Sequence, residues 1–186
     1  MIKGDKVRLR AVEKADLPKI WQWRNDDEVM YYWVFPGFTI SMAELEQRFA
    51  RYAQVFEPTQ VPRFREFIVE TLDGTAIGIM AYMHLGIRHR HAEVIIQLGE
   101  KDCWGQGYGT DAMMAFLDYL FNELNLNLVY LHTQPYNPRA IASYEKCGFV
   151  REGVLRQWYF VKGQYHDSYL MSILRQDFKP GERDGA

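Results

Sequence analysis

The chain is expected to fold as one mixed α+β domain, and three observations predict it. Residues 64–98 alternate in character like three successive strands joined by tight connections. Three alternating glycines, Gly105, Gly107 and Gly109, follow the last of these strands and lead into a segment with the 3.6-residue period of a helix. No internal repeat or linker divides the 186 residues, a length that buries a single core without disulfides or metals. The domain is expected to span residues 1–178, with the polar residues 179–186 fraying.

Residues 6–10 set Val7 and Leu9 between basic residues, the alternation of a half-buried strand. Asp16 begins a helical run through Leu17, Ile20, Trp21 and Trp23, and Asn25-Asp26-Asp27-Glu28 closes it. Tyr31, Tyr32, Trp33 and Phe35 then crowd together, either as core or as the wall of a groove. Pro36-Gly37 is a turn, and Ser41 with Glu44 has the spacing of a capping box opening a second helix to about Phe56, ended by Pro58 and Pro62. Residues 64–71 and 76–86 form a hairpin around Asp73-Gly74, and residues 91–98 add a third antiparallel strand.

After the glycines, Ala112, Met113, Phe116, Tyr119 and Leu120 share one helical face, with Asp111, Asp118 and Asn122 opposite, as for a helix lying on a sheet. Residues 126–133 return as a strand. Asn137-Pro138 supplies an N-cap and a first-turn proline for a short helix over 139–147, and Gly148 supplies its stop. Residues 152–161 and 165–174 flank the hairpin turn Lys162-Gly163.

With 22 Lys+Arg against 24 Asp+Glu, the formal net charge is −2, which lacks the basic excess of a nucleic-acid binder. Cys103 and Cys147 lie far apart with no metal-ligand spacing, so they read as free thiols of a reducing cytoplasm, with no metal expected. The N-terminus shows no signal-peptide pattern, and no apolar run reaches the roughly 18 residues of a membrane span, so no membrane partner is expected.

The order strand, short loop, glycines, helix over residues 92–110 is how a main chain builds an anion site. Glycines let N–H groups turn inward and the helix adds its positive end, so a pyrophosphate can be held without a lysine in the loop. A phosphorylated cofactor is the first expectation. A Rossmann site would want glycine or alanine at Thr110 and an acid ending the next strand, which instead ends Leu131-His132-Thr133-Gln134. A Walker A loop would need Gly-Lys-Ser/Thr, and no lysine follows these glycines. A tight turn holding no ligand is the other reading.

W-G-Q-G-Y-G-T, together with N-P-R-A-I-A-S-Y-E-K-C-G-F over 137–149, resembles the GNAT superfamily of acetyl-CoA-dependent N-acetyltransferases. The resemblance runs from the L-R-x-V-E-K-A-D-L segment to G-Q-Y-H-D-S-Y-L-M near the end. It is nearest the branch of ribosomal-protein N-terminal and spermidine acetyltransferases. It implies a mixed, mostly antiparallel central sheet flanked by helices, whose strands 91–98 and 126–133 splay to seat the cofactor arm. It implies acetyl-CoA as cosubstrate, an amine as acceptor and no metal, and it leaves a homodimer open.

Residue by residue, the resemblance puts the pyrophosphate loop on Trp104, Gly105, Gln106, Gly107, Tyr108, Gly109 and Thr110. Pantetheine contacts fall on Ile96, Gln97 and Leu98, and a second wall on Asn137, Arg139, Ala140 and Ser143. Trp104 stands where the superfamily often carries Arg or Gln. Tyr144 matches the family's thiolate-protonating tyrosine, packing alone being the competing role. Glu93 matches an acidic position common in this branch and is the candidate base, with an ordinary salt-bridged glutamate as the alternative. His84, His89, His91 and Tyr82 are further candidates.

Residues 21–38 would border the acceptor groove. Asp26 and Glu28 could attract a cationic acceptor, and Tyr32 and Trp33 could wall its aliphatic part. N-D-D-E-V-M-Y-Y-W looks like the matching part of spermidine acetyltransferases, but Val34-Phe35-Pro36-Gly37 follows where polyamine-acetylating relatives tend to carry acids. An α-amine is about 10–17% neutral at pH 7, a lysine only about 0.04%, so a chain without a strong base suits the former. The expected reaction is acetyl transfer to a protein N-terminal α-amine or a small amine. A polyamine acceptor, or a non-catalytic acyl-CoA sensor, is the alternative.

Overall fold

The computed structural model describes residues 1–33, 39–54 and 61–180. In chain order these form β1 (Ile2–Lys3), β2 (Val7–Ala11), α1 (Leu17–Arg24), α2 (Asp27–Tyr31), α3 (Met42–Gln54), β3 (Arg65–Thr71), β4 (Ala76–Gly86), β5 (His91–Leu98), α4 (Tyr108–Asp118), β6 (Leu128–Thr133), α5 (Pro138–Lys146), β7 (Val150–Val161) and β8 (Gln164–Leu174). The strands make one eight-stranded sheet in the order β1-β2-β3-β4-β5-β6-β8-β7. Only β5 and β6 run parallel; every other neighbouring pair is antiparallel.

The parallel pair is short, and that positions the site. His91, Ala92 and Glu93 lie opposite Leu128, Val129 and Tyr130, after which the strands part. The second half of β5 therefore keeps β4 on one side and presents an unpaired edge on the other.

Period-2 strands and period-3.6 helices meet on both faces of this sheet. On one, Val7, Leu9, Val69, Met80, Ala92, Val94, Val129 and Leu131 pack with Ala112, Met113, Phe116 and Leu120 of α4. On the other, Ile68 and Ile79 meet Leu17, Ile20 and Trp23 of α1 and Leu45 of α3. The α4 helix ends in a π turn, Tyr119–Glu123, and Asn137 caps α5 by accepting the Ala140 N–H at 3.2 Å. The Ser41 and Glu44 box closes both ways: Glu44 N–H donates to Ser41 Oγ at 3.2 Å and Ser41 N–H to Glu44 Oε2 at 2.8 Å.

The acidic turn after α1 departs from expectation. Asn25 ends the helix, but Asp26 starts another, its Oδ1 accepting the N–H groups of Glu28 and Val29 at 3.0 Å each. Asp and Asn serve helix starts as readily as turns, so composition alone does not separate the roles. The two-residue β1 was not foreseen either. Phe35, the Pro36-Gly37 turn, Phe56 and Pro58 lie outside the described residues, as does the tail beyond Pro180.

Candidate active site

Gly105 and Gly107 have φ of +74° and +87°, where a side chain is strained, and Gly107 is the N-cap of α4. The loop thus turns its main chain toward the opening between β5 and β6, a cleft of about 360 Å³. Gln106 and Tyr108 do not line it with their side chains: Gln106 Nε2 turns back to the Asp102 carbonyl, and Tyr108 packs against the core.

Ile96, Gln97 and Leu98 form one wall. Gln97 is buried, its Nε2 reaches only Met30 Sδ at 3.7 Å, and among the described residues its Oε1 has no partner. A buried carbonyl oxygen left open beside a cleft favours a ligand that brings an N–H, as the amides of a pantetheine arm do. The opposite wall carries Asn137, Arg139, Ala140, Ser143 and Tyr144 from α5, with Ser143 Oγ 2.8 Å from Thr110 Oγ1 at the start of α4. Thr110, Trp104 and all three glycines border the same space. The residues present fit a CoA thioester.

Tyr144 is 9% exposed. Burial pushes its phenol well above the usual tyrosine range, and Cys147 and Tyr159 add to the shift, so it stays protonated and remains a donor. Tyr32 and Trp33 line the cleft near this wall. The Arg139 guanidinium lies 4.2 Å from the Trp104 ring centre and 5.5 Å from that of Tyr32, and Trp104 Nε1 donates to the Leu98 carbonyl at 2.8 Å. Trp104 thus joins loop, strand and α5 through its ring.

Glu93, by contrast, does not line the cleft. Its neighbours Ala92 and Val94 point into the α4 core, so Glu93 faces the other side of the sheet, at the last paired position before the strands part. Its Oε2 lies 2.9 Å from His84 Nδ1. The phenols of Tyr130 and Tyr159 are raised, first by burial and further by the Glu93 charge. His84 and Glu93 are therefore together, while His89 and His91 stack on one another at 6.3 Å and Tyr82 is buried in the core.

Asp26 and Glu28 are not brought to the cleft. Lys101 Nζ lies 3.0 Å from Asp26 Oδ2 and 3.2 Å from Glu28 Oε2, and the Val29 N–H together with Lys101 holds the Asp26 carboxyl below its usual range. Lys101 and the helix cap engage part of this negative charge, Glu28 stays 60% exposed at the side chain, and the turn lies outside the cleft lining. Eight lining residues were not singled out in the sequence, Val29, Val94, Ile95, Ala142, Lys146 and, from the end of β6, His132, Thr133 and Gln134. The signal for the last three was topological, since the end of a parallel partner strand faces the same opening. Among the described residues no carboxylate lines the cleft, and no group of three His, Cys, Asp or Glu side chains gathers as a metal site would.

A sheet opened between its two parallel strands above a glycine-rich anion loop defines an enzyme class that transfers acyl groups from CoA thioesters. Residues 6–150 match the acetyltransferase (GNAT) domain, and the chain belongs to that family. It is 33% identical to the spermidine N(1)-acetyltransferase of Vibrio cholerae, over 94% of this chain and 96% of that one. Its identity to the spermidine N(1)-acetyltransferase of Escherichia coli K12 is 31%, over 96% and 91%. The crystal structure of the Vibrio cholerae enzyme in complex with CoA and spermine superposes with a TM-score of 0.83, covering 92% of this chain and 96% of that one. The protein is an acetyl-CoA-dependent N-acetyltransferase of amines.

Proposed function

We propose that the acceptor is a low-pKa primary amine, a small amine or a protein N-terminal α-amine, and that Tyr144 assists departure of the thiolate. The absence of a carboxylate among the described lining residues carries the acceptor reading. A polycation finds no counter-charge there, and an amine needing a strong base finds none. Deprotonating a lysine at pH 7 costs roughly 4.6 kcal/mol, an α-amine less than about 1.4.

Acetyl-CoA supplies an acyl carbon already activated as a thioester. The amides of residues 105–109 hold its diphosphate end, and Gln97 Oε1 accepts an N–H from its arm. Glu93 lies outside the cleft lining, at the last paired position before β5 and β6 part, and takes the proton of an amine that approaches from its own face of the sheet; His84, 68% exposed at the side chain, links it to solvent. Tyr144 is a weaker acid than an ordinary thiol of pKa about 8.5, so it acts first by a hydrogen bond that strengthens as charge builds on sulfur. Two unpaired thiols, Cys103 and Cys147, suit a reducing cytoplasm.

A polyamine acceptor is the second reading, favoured by the similarity to spermidine acetyltransferases. Against it stand the position of Asp26 and Glu28 outside the cleft lining, and Lys162, whose ammonium lies 4.9 Å over the Tyr31 ring. Thiol release from acetyl-CoA is to be compared with a short peptide bearing a free N-terminus, Nα-blocked lysine, n-butylamine and spermidine. The peptide with a free N-terminus is expected to lead, by most at lower pH, because n-butylamine and blocked lysine, alkyl amines both near about 10.4, stay protonated there. Clear preference for spermidine replaces the first reading with the second, and a preference for blocked lysine defeats both.

A further inference from the structure

We infer that Lys6, from the far end of the chain, supplies the cation that the glycine loop lacks and binds the diphosphate of the cosubstrate. The inference rests on residues 104–110 being the diphosphate loop. The loop itself carries no lysine or arginine, and Trp104 occupies its first position. Main-chain amides alone would face a doubly charged group.

The fold brings a cation there by a specific device. Asp111, in the first turn of α4, accepts the backbone N–H groups of Asp5, Lys6 and Val7 at 2.9, 2.9 and 3.0 Å. An acid at this position answers the helix dipole, and here it also clamps the turn between β1 and β2 against the loop. Three bonds to one carboxylate fix where the Lys6 side chain sets out. Its Nζ donates to the Gln106 carbonyl at 3.1 Å and lies 5.9 Å over the Tyr108 ring. A β-carbon added at Gly107 would sit 3.5 Å from that nitrogen.

Among the described residues no carboxylate pairs with Lys6, and its one hydrogen-bond acceptor is the carbonyl of a loop residue. Lys6 does not line the cleft itself, but its ammonium, held beside the glycines with donors to spare and no paired carboxylate among the described residues, is within reach of an anion on the loop. Arg139 is differently engaged, its guanidinium stacked on Trp104. Lys6 and Gln106 are 100 residues apart, so no local motif announces the contact.

Calorimetric titration of CoA into wild type, Lys6→Gln, Lys6→Arg and Lys3→Gln tests this without an acceptor. Lys3 lies on the same segment, so Lys3→Gln controls for net charge. Lys6→Gln is expected to weaken CoA binding about fivefold at low salt, with the difference shrinking as salt rises, and Lys6→Arg to retain most of the affinity. Lys3→Gln should match wild type. The fivefold loss should persist with 3′-dephospho-CoA, because the proposed contact is to the diphosphate. Unchanged affinity in Lys6→Gln, an equal loss in Lys3→Gln, or a loss that vanishes with 3′-dephospho-CoA overturns the assignment to Lys6. Wild type failing to take CoA at all would instead bring down the loop reading beneath it.

Discussion

Trp104, Gly105, Gly107, Gly109 and Thr110 border the cleft as a glycine-rich loop, while Val29, Tyr32 and Trp33 border it as bulky residues. The first region is built from local conformation: glycines at positive φ and a helix start, whose N–H groups are present whatever the flanking side chains. The second is built from tertiary packing, with Tyr32 edge-on to Trp104 at 5.9 Å and Tyr31 tilted against Tyr136 at 5.2 Å. A donor common to a whole enzyme family can be gripped by backbone, which sequence drift does not remove. An acceptor that differs between relatives has to be met by side chains, which drift readily.

The strongest way to sharpen the contrast is at Tyr144, which lines the cleft from α5 and is proposed to serve the chemistry common to both halves. Tyr144→Phe keeps the ring against Phe149, 5.9 Å away, and removes only the hydroxyl. It is expected to lower kcat about ten- to a thousandfold at saturating acetyl-CoA and acceptor, with CoA affinity within about twofold of wild type. Turnover equal to wild type would leave Tyr144 a packing residue and the transfer step without its donor.

What the sequence disclosed follows the same division. Asn137-Pro138, Gly148 and the Ser41 box are signals within a few residues, and each lies at the helix end expected of it. The glycines were legible because a positive φ is a property of one residue. Glu93 shows where local pattern stops. Period-2 alternation says that 92 and 94 share a face and 93 takes the other, but not which face meets α4. Asp26 and Lys101 are 75 residues apart, so the fate of the acidic turn could not be read from the turn. His132 reached the cleft because β6 is the parallel partner of β5, and nothing within β6 itself states that pairing.

A substitution in the main-chain half should leave the acceptor half untouched. At Gly107, φ of +87° makes any β-carbon strained, by roughly 1–2 kcal/mol for alanine. If the loop relieves that strain by shifting, Gly107→Ala weakens CoA binding by about five- to thirtyfold while the KM of the acceptor stays within about twofold. An equal rise in both constants would show that the two regions are coupled, Tyr32 and Trp104 being in edge-on contact, and do not act independently.

The smallest effect, and the most discriminating about the acceptor, is expected at Glu93. Glu93→Gln keeps the size of the side chain and a hydrogen-bonding atom for His84 but removes the proton acceptor. An α-amine of pKa near 7.7–8.0 is mostly protonated at pH 7 and mostly neutral by about pH 9. The need for a base is therefore greatest at low pH and fades as pH rises through the amine's own pKa. The deficit of the variant should be about three- to tenfold in kcat/KM at pH 7 and close to nothing at pH 9. For a lysine-like amine near 10.4 the same deficit would persist beyond pH 9, because the substrate is still charged there. A pH-independent deficit would mean that Glu93 holds its surroundings in place, through His84 and the phenols of Tyr130 and Tyr159, and does not accept the proton. The shape of that one pH profile thus reports on the base and on the acceptor, the two points at which a cleft lined by no carboxylate among the described residues has to be matched to its amine.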